Sequence, residues 1–236
     1  MFIVKKRTLF AVISAAVLGA ALILYLLSGR IYLYVFSRTH NLDISCSKIT
    51  NISFGHFEVT DLMMRDRASG FSISSKASSM LFRIRDIRLK DVTIDFRFKD
   101  VRFGKKGGKE NLIYSSLTGL VAIPFDSRWQ YNEMSGKIKT MKGGSEIKDF
   151  SAAGKDIKLS IKGTVLENDT INLDIIIYFG KELYDMIAPE VAGILLSKEE
   201  NDWSSLSVHL EGDYKTPSIQ LSSKLFRLNI KAISGT

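Results

Sequence analysis

Three histidines and one cysteine are the side chains of this chain best suited to metal binding or nucleophilic catalysis. His40, His56 and His209 are far apart in the sequence, and none belongs to an HExxH or HxH spacing. His209 follows the polar side of its segment and His56 adjoins a glycine, so we expect a solvated imidazole and a turn residue. Cys46 is the sole cysteine, which excludes an intramolecular disulfide and a CxxC zinc cluster. The sequence therefore predicts no metal site and no cofactor.

Motifs for covalent or phosphate chemistry are missing from the sequence as well. It contains no GxSxG nucleophile elbow and no GxGxxG segment, and the glycine-rich stretch GKKGGKE at 104–110 lacks the GxxxxGK[ST] spacing of a phosphate-binding loop. The acidic residues are scattered singly, so no carboxylate pair is nominated for acid–base catalysis. We therefore predict that the protein is not an enzyme.

The net charge of +8, from 33 Lys and Arg against 25 Asp and Glu, raises the question of an anionic partner. In the densest basic region, residues 83–102, the cations alternate with apolar residues and have four aspartates between them. This pattern is typical of a solvated strand face, whereas a nucleic-acid surface favours a continuous basic stripe with exposed aromatic rings. The sequence predicts no nucleic-acid partner and favours anionic lipid headgroups.

A stretch of 21 uncharged residues, TLFAVISAAVLGAALILYLLS at 8–28, follows three cations at 5–7. As a helix it would be about 31 Å long, close to the roughly 30 Å of a bilayer hydrocarbon core. It exceeds the core of a signal peptide, about 7–15 residues, and IYLYVF follows it, with Tyr32 and Tyr34 suited to a membrane interface. We therefore predict an uncleaved transmembrane anchor, whose apolar side chains are Leu9, Phe10, Val12, Ile13, Val17, Leu18, Leu22, Ile23, Leu24, Leu26 and Leu27.

The cations on the two sides of this stretch predict its orientation. Three precede it, whereas Arg30 and Arg38 follow it, so the positive-inside tendency places the N-terminus in the cytoplasm. In a bacterium the protein would then cross the inner membrane once, with the bulk of the chain in the periplasm.

The rest of the chain is dominated by segments in which apolar and polar residues alternate, the pattern of half-buried strands. DVTIDFRFKD at 91–100 is the clearest, and KDIKLSIKGTV, TINLDIIIYF and SLSVHLEGDY repeat it at 155–165, 170–179 and 205–214. We expect their apolar residues to share one face, which is the predicted lining of an apolar groove: Val92, Ile94, Phe96, Phe98, Ile157, Leu159, Ile161, Leu173, Ile175, Ile177, Phe179, Leu206, Val208 and Leu210.

Turn residues between these segments predict short connections, and hence an antiparallel meander. A change of phase within residues 82–89 predicts a bulge or a turn near residues 85–86. The segment 181–200 has helical spacing, with Pro189 either kinking one helix or opening a second, and 110–123 is a weaker helix candidate. The predicted fold is mainly β: one transmembrane helix, then an antiparallel, curled or groove-forming sheet with one or two short helices.

Three regions are predicted along the chain. Residues 1–38 form the cytoplasmic tip, the anchor and an interfacial segment; residues 39–103 form an N-terminal β-rich half; and residues 104–236 form a C-terminal β-rich half that contains the 181–200 helix. The boundary between the two halves is GKKGGKE, which reads as a flexible loop.

The order of these features resembles the AsmA-like family, especially its C-terminal region. Residues 134–180 give a strand, a glycine turn and an INLDIII-type strand; after the helix, a closing L-x-G-x-x-x-x-P-x-I/V-x-L pattern is formed by Leu210, Gly212, Pro217, Ile219 and Leu221. The N-terminal side is similar too, with one transmembrane helix followed by strands at 49–94. The chain also resembles the short type II secretion N proteins, which share the anchor and a similar ending.

The resemblance implies a function. AsmA-like proteins are anchored in the inner membrane and carry a long curled sheet with an apolar groove, with roles in outer-membrane lipid homeostasis or transport. It implies a periplasmic groove that binds phospholipid or other apolar chains and contributes to lipid transport or outer-membrane assembly. The alternative is an accessory component of a secretion or envelope machine that contacts proteins through its sheet edges. Alternation alone leaves open whether the apolar face is an open groove or a closed core.

Overall fold

The computed structural model describes residues 6–86, 91–105, 123–125, 129–213, 216–223 and 227–231, although the side chains of some of them, including 6–17, lie outside this description. The helices are α1 (Lys6–Thr39), α2 (Lys181–Tyr184) and α3 (Pro189–Leu195), with a 3-10 turn at Ile123–Phe125. The strands are β1 (Leu42–Ser45), β2 (Lys48–Ser53), β3 (His56–Asp66), β4 (Phe71–Asp86), β5 (Asp91–Lys105), β6 (Gln130–Met141), β7 (Gly144–Gly154), β8 (Ile157–Leu166), β9 (Thr170–Phe179), β10 (Ser197–Lys198), β11 (Ser204–Asp213), β12 (Ser218–Ser222) and β13 (Arg227–Lys231).

The described strands form one open, 13-stranded antiparallel sheet. Its order is β1-β3-β4-β5-β6-β7-β8-β9-β11-β12-β13, while β2 also pairs with β3 and β10 with β11. Most neighbours in the sheet are neighbours in sequence, so the predicted mainly-β antiparallel meander is confirmed. The register between β4 and β5 shifts between Ile84 and Asp86, at the place of the predicted bulge or turn, while residues 87–90 lie outside the description.

The apolar residues of the strands meet in one core, and the cross-strand register arranges them in rows. The most deeply buried row crosses eight strands at Val59, Ser78, Phe98, Met134, Ala152, Leu159, Ile177 and Leu206, each at most 4% exposed. The helices α2 and α3 contribute Leu183 and Leu195 to the same core. This part of the apolar face is therefore closed.

The segment 181–200, which the sequence predicts as helical, is helical only in part. Residues 181–184 and 189–195 form two short helices, and Ser197–Lys198 is a strand. Pro189 is the first residue of the second helix, where its missing N–H leaves no helical hydrogen bond unmade. Of the two alternatives for Pro189, the structure therefore has the one in which it opens a new helix.

The predicted boundary at 104–110 and the candidate helix at 110–123 lie mostly outside the described residues. Gly104 and Lys105 belong to the end of β5, and Ile123 begins the 3-10 turn. The strands on the two sides of the predicted boundary, β5 and β6, are hydrogen-bonded neighbours. The sheet is therefore continuous between the two predicted halves.

The N-terminal helix α1 has 34 residues and is about 51 Å long at 1.5 Å per residue. Within the described part of the chain, no helix meets the length and apolarity needed to cross a membrane. The anchor residues Leu9, Phe10, Val12, Ile13 and Val17 have side chains outside the described set. The anchor therefore stays a prediction.

Candidate functional site

A cavity of about 850 Å³ lies between the C-terminal half of α1 and the sheet. One wall is the helix, which contributes Leu24, Ser28, Ile31, Tyr32, Val35, Phe36 and Thr39, and His40 follows directly after the helix ends. The opposite wall is formed by strands β4 to β8 and their turns, with Phe82, Ile84, Val92, Ile94, Thr140, Met141, Gly144, Ser145, Val165, Leu166 and Glu167, and Phe54 lies in the β2–β3 turn.

The walls of this cavity are predominantly hydrocarbon, and several of its polar groups are already bonded to backbone. The Ser28 hydroxyl donates to the Tyr25 carbonyl at 2.8 Å. The Thr140 hydroxyl donates to the Val92 carbonyl at 3.1 Å and accepts from the Val92 N–H at 3.3 Å. These groups therefore present mainly carbon to the cavity, as expected for a site that holds an apolar ligand with few polar contacts.

A close contact between α1 and β2 determines where the helix wall stands. Gly29 lies so near the sheet that a Cβ there would be 2.7 Å from Asn51 Oδ1 and 2.8 Å from Ile49 Cγ2. The Gly29 N–H donates to Asn51 Oδ1 at 3.1 Å, and Asn51 Nδ2 donates to the carbonyls of Tyr25 (3.0 Å) and Leu26 (2.7 Å). One side-chain amide thus bonds three backbone groups of the helix, and a larger residue than glycine would push the helix away.

Aromatic rings fix the helix just beyond this contact. The Tyr32 ring stacks on Phe82 at 5.1 Å and on Phe57 at 6.3 Å, and it meets Phe54 edge-on at 6.1 Å. Burial raises the pKa of the Tyr32 phenol, so it is neutral at physiological pH. Because Phe57 is fully buried, this stack ties the cavity wall to the core.

The apolar side chains of the sheet become more exposed toward the cavity. On β8, Ile157 and Leu159 are 1% and 2% exposed, whereas Val165 at the cavity is 37% exposed. On β4, Met80 is 5% exposed and Ile84 is 43% exposed. The same apolar face is therefore a closed core at one end and the floor of a cavity at the other.

All fourteen residues predicted to line a groove belong to one apolar cluster, but the structure divides them. Nine are buried: Ile94, Phe98, Ile157, Leu159, Ile175, Ile177, Phe179, Leu206 and Val208. Five are partly buried against that core: Val92, Phe96, Ile161, Leu173 and Leu210. Among the fourteen, Val92 and Ile94 line the cavity. The remaining twelve lie away from it, mostly within the closed core.

Sequence reasoning missed most of the helix wall. Residues 31–36, which contribute Ile31, Tyr32, Val35 and Phe36, were interpreted as an interfacial segment, although they cover the sheet. Leu24 was predicted as an anchor residue and also lines the cavity. The available signal was that apolar residues resume at 31–36, after Gly29 and Arg30, beyond the segment that a membrane needs.

Polar residues among the lining of the cavity include Thr39, His40, Ser145 and Glu167. The His40 ring lies 4.6 Å from the Phe36 ring. Burial lowers the pKa of His40, so its imidazole is neutral at pH 7. These polar side chains can therefore contact a polar group of a ligand, while the rest of the lining suits hydrocarbon.

The charged residues of the strands lie on the opposite face of the sheet. Asp95 pairs with Arg83 at 3.0 Å and with Lys137 at 3.4 Å, and Arg97 pairs with Glu133 at 3.0 Å. Cations and carboxylates thus neutralise one another across neighbouring strands. This arrangement matches the solvated strand face that the sequence predicts.

The histidines belong to no metal-binding cluster in the part of the chain that the structure describes, where no group of three potential ligands is found. His209 Nδ1 lies 2.8 Å from Asp174 Oδ1 and His209 Nε2 lies 3.8 Å from Glu211 Oε2, on the solvated side of the sheet. His56 is the first residue of β3, and its Nε2 lies 3.2 Å from Ser79 Oγ. His56 therefore belongs to a strand and follows the turn.

A comparison of this chain with protein families, with curated proteins and with solved structures finds no match.

Proposed function

We propose that this chain is a membrane-anchored protein that takes an acyl chain of a membrane lipid into the cavity between α1 and the sheet, and so contributes to envelope lipid transport or outer-membrane assembly. The observation that carries the proposal is that one helix, α1, contains the predicted membrane segment and also forms one wall of the cavity. Leu24 and Ser28 belong to the predicted membrane segment at 8–28 and also line the cavity. A lipid beside the helix would therefore meet the cavity where the helix leaves the bilayer.

The exposed surface of α1 supports the anchor. Five large apolar side chains of the predicted segment are 57–70% exposed: Leu18, Leu22, Ile23, Leu24 and Leu26. A contiguous apolar surface of this kind marks a membrane or protein contact. We propose that a bilayer covers it, with the N-terminus in the cytoplasm, and that in a bacterium the membrane is the inner membrane and the sheet is periplasmic.

The dimensions of the cavity fit one chain of a lipid leaflet. From Ser28, the last residue of the predicted membrane segment, to Thr39 the helix wall rises by eleven residue steps, or about 16 Å. One leaflet supplies about half of the roughly 30 Å hydrocarbon core, or about 15 Å. The volume of about 850 Å³ is within the usual range of about 300–1,000 Å³ for small-molecule sites.

The resemblance to the AsmA-like family agrees with this proposal, because that family combines an inner-membrane anchor with an apolar β-sheet groove. The cavity differs from the groove expected from the strands alone, since the proposed site uses the helix as one wall. Phospholipid is the proposed ligand class, and its chain would contact Val92 and Ile94 on the floor.

Filling the cavity with one side chain tests the proposal. Ser145 faces the cavity from β7, whereas the next residue, Glu146, points to the other face and lies 3.9 Å from Lys148. The full chain, extracted in detergent, should carry phospholipid in native mass spectrometry and take up a fluorescent fatty acid. Ser145→Trp should lose most of the bound lipid, while Glu146→Trp should keep it.

Unfolding curves for both variants check that each is folded. Wild-type protein without bound lipid and without fatty-acid uptake would overturn the proposed function. The same conclusion would follow if Ser145→Trp, folded as well as Glu146→Trp, retained the wild-type amount of lipid.

A second candidate function is supported by the open ends of the sheet. In the described part of the chain, β13 pairs with β12 on one side, and β1 at the other end pairs with β3. Exposed strand edges can recruit another protein by strand addition, as a secretion or envelope machine would require. Photocrosslinkers placed on β13 should give protein adducts in this case, whereas lipid adducts at the cavity support the first proposal.

A further inference from the structure

A second, smaller pocket of about 330 Å³ lies on another side of α1, where the end of the helix meets β1 and the end of β3. Three arginines line it, Arg38 from the helix and Arg65 and Arg67 from β3 and the turn that follows, together with Asp43 and Tyr34. Its chemistry is therefore cationic, unlike the hydrocarbon walls of the larger cavity.

The three arginines are not equivalent. Arg67 is neutralised within the protein, because its Nε and Nη2 both lie 2.7 Å from Asp43 Oδ1. Arg38 lies over the Tyr34 ring, 5.6 Å from its centroid, and its charge also offsets the negative end of the α1 dipole. Among the described residues, neither Arg38 nor Arg65 forms an ion pair with a carboxylate.

Arg65 is the residue whose bonding is incomplete. Its Nε is buried without a hydrogen-bond partner, and its Nη2 has the sulfur of Met63, a weak acceptor, at 4.0 Å. A buried donor with no acceptor is costly and rare in folded proteins. The Nε itself is shielded from solvent, but the guanidinium lines the pocket and has no carboxylate partner among the described residues, so its other N–H groups are suited to an oxyanion, which supplies two or three strong acceptor oxygens.

We propose that this pocket binds an oxyanion of the phosphate type. Arg65 is the principal contact, Arg38 and Tyr34 add further donors, and Asp43 weakens binding by occupying Arg67. The phosphate can belong to a lipid headgroup or be free in solution. Arg38 is ten residues beyond Ser28, so the pocket would stand about 15 Å from the proposed hydrocarbon boundary.

The test uses the full chain and separates the two sources. In a phosphate-free maltoside detergent, inorganic phosphate is titrated by calorimetry; this arm depends neither on the anchor nor on the larger cavity. In nanodiscs of phosphatidylcholine with phosphatidylglycerol, native mass spectrometry measures the lipid that the protein retains; this arm rests on the proposed anchor. Less retained phosphatidylglycerol in Arg65→Gln than in wild type assigns the site to headgroups, whereas phosphate binding with unchanged lipid retention assigns it to free phosphate.

Charge-neutralising variants give opposite expected effects. Arg65→Gln should weaken phosphate binding about tenfold, the value of one charge-assisted hydrogen bond. Asp43→Asn should strengthen it several-fold, because it releases Arg67 for the ligand. Arg97→Gln is the matched control, since Arg97 is an exposed arginine that does not line the pocket and pairs with Glu133.

The direction in which each variant changes phosphate affinity distinguishes a binding role of these residues from a purely structural one. A purely structural Arg67–Asp43 pair would make Asp43→Asn less stable without tighter phosphate binding, which would overturn the proposal. Arg65→Gln that binds phosphate as wild type does would also overturn it. If Arg65→Gln does not fold, the proposal is tested by the other two variants. Asp43→Asn should bind phosphate more tightly and Arg38→Gln more weakly, and an unchanged affinity in both would overturn the proposal.

Discussion

Phe98 lies in the closed core and Ile84 lies on the cavity floor, so truncating each side chain should have different consequences. Phe98 is 4% exposed, its ring lies 5.0 Å from that of Phe96, and its register neighbours are Ser78 and Met134. Phe98→Ala should therefore leave a dry cavity and cost about 3–5 kcal/mol. At about 2–4 °C per kcal/mol for a chain of this size, the unfolding temperature should fall by about 6–20 °C.

Ile84 lines the cavity and is 43% exposed. Ile84→Ala removes three carbons that are about half buried, which costs roughly 1–1.5 kcal/mol at about 0.8 kcal/mol per CH₂. The same change takes away part of the proposed lipid contact. The two variants should therefore rank in opposite order for stability and for lipid binding.

Thermal unfolding of the detergent-solubilised chain, with and without a fatty acid, measures both effects. At a free concentration of about 100 times Kd, the ligand should stabilise wild type by about 2.7 kcal/mol. Phe98→Ala should gain the same increment, whereas Ile84→Ala should gain about 1.4 kcal/mol if its affinity is tenfold lower. Equal increments for all three proteins, or an increment lost in Phe98→Ala, would refute this division of the apolar face.

The remaining predictions concern Tyr131 and the direction of the chain. Tyr131 is fully buried and donates to the Pro124 carbonyl at 2.9 Å, so Tyr131→Phe should cost about 1–3 kcal/mol in denaturant unfolding. Burial raises the pKa of Tyr131 in the folded state, so its contribution is complete below the ordinary value of 10.0 and is lost as the pH rises above it. Wild type should lose stability above about pH 10, and Tyr131→Phe should lose less. A reporter active only in the cytoplasm, fused after Thr236, should be silent, and strong activity would contradict the proposed orientation.

The faces of the strands were predictable because a strand has a period of two. On β8 and β9, alternation alone assigned Leu159 and Ile177 to the same side, and the register pairs these two residues in the deepest row. Antiparallel pairing followed from the short turns between them. Strand faces and hairpin pairing depend on residues that are close in the sequence, so both can be predicted from one sequence.

The cavity was not predictable in the same way, because it depends on where α1 contacts the sheet. That contact joins Gly29 to Asn51 and Tyr32 to Phe82, and each pair is separated by more than twenty residues in the sequence. Neither residue of such a pair carries a local signal of its partner. The arginine pocket has the same origin, since Arg38 and Arg65 belong to elements that meet only in the fold.

The hydrocarbon walls of the larger cavity have a thermodynamic consequence for exchange. An acyl chain in water would gain about 0.8 kcal/mol per CH₂ on entering, but a chain that arrives from a bilayer already has apolar surroundings. Its methylene groups therefore contribute little net free energy in either direction, and the equilibrium is set mainly by the polar groups of the lining, including His40 and Glu167. Loading and release should then be of comparable ease, so the direction of any net lipid flow would follow from supply and removal on either side of this site.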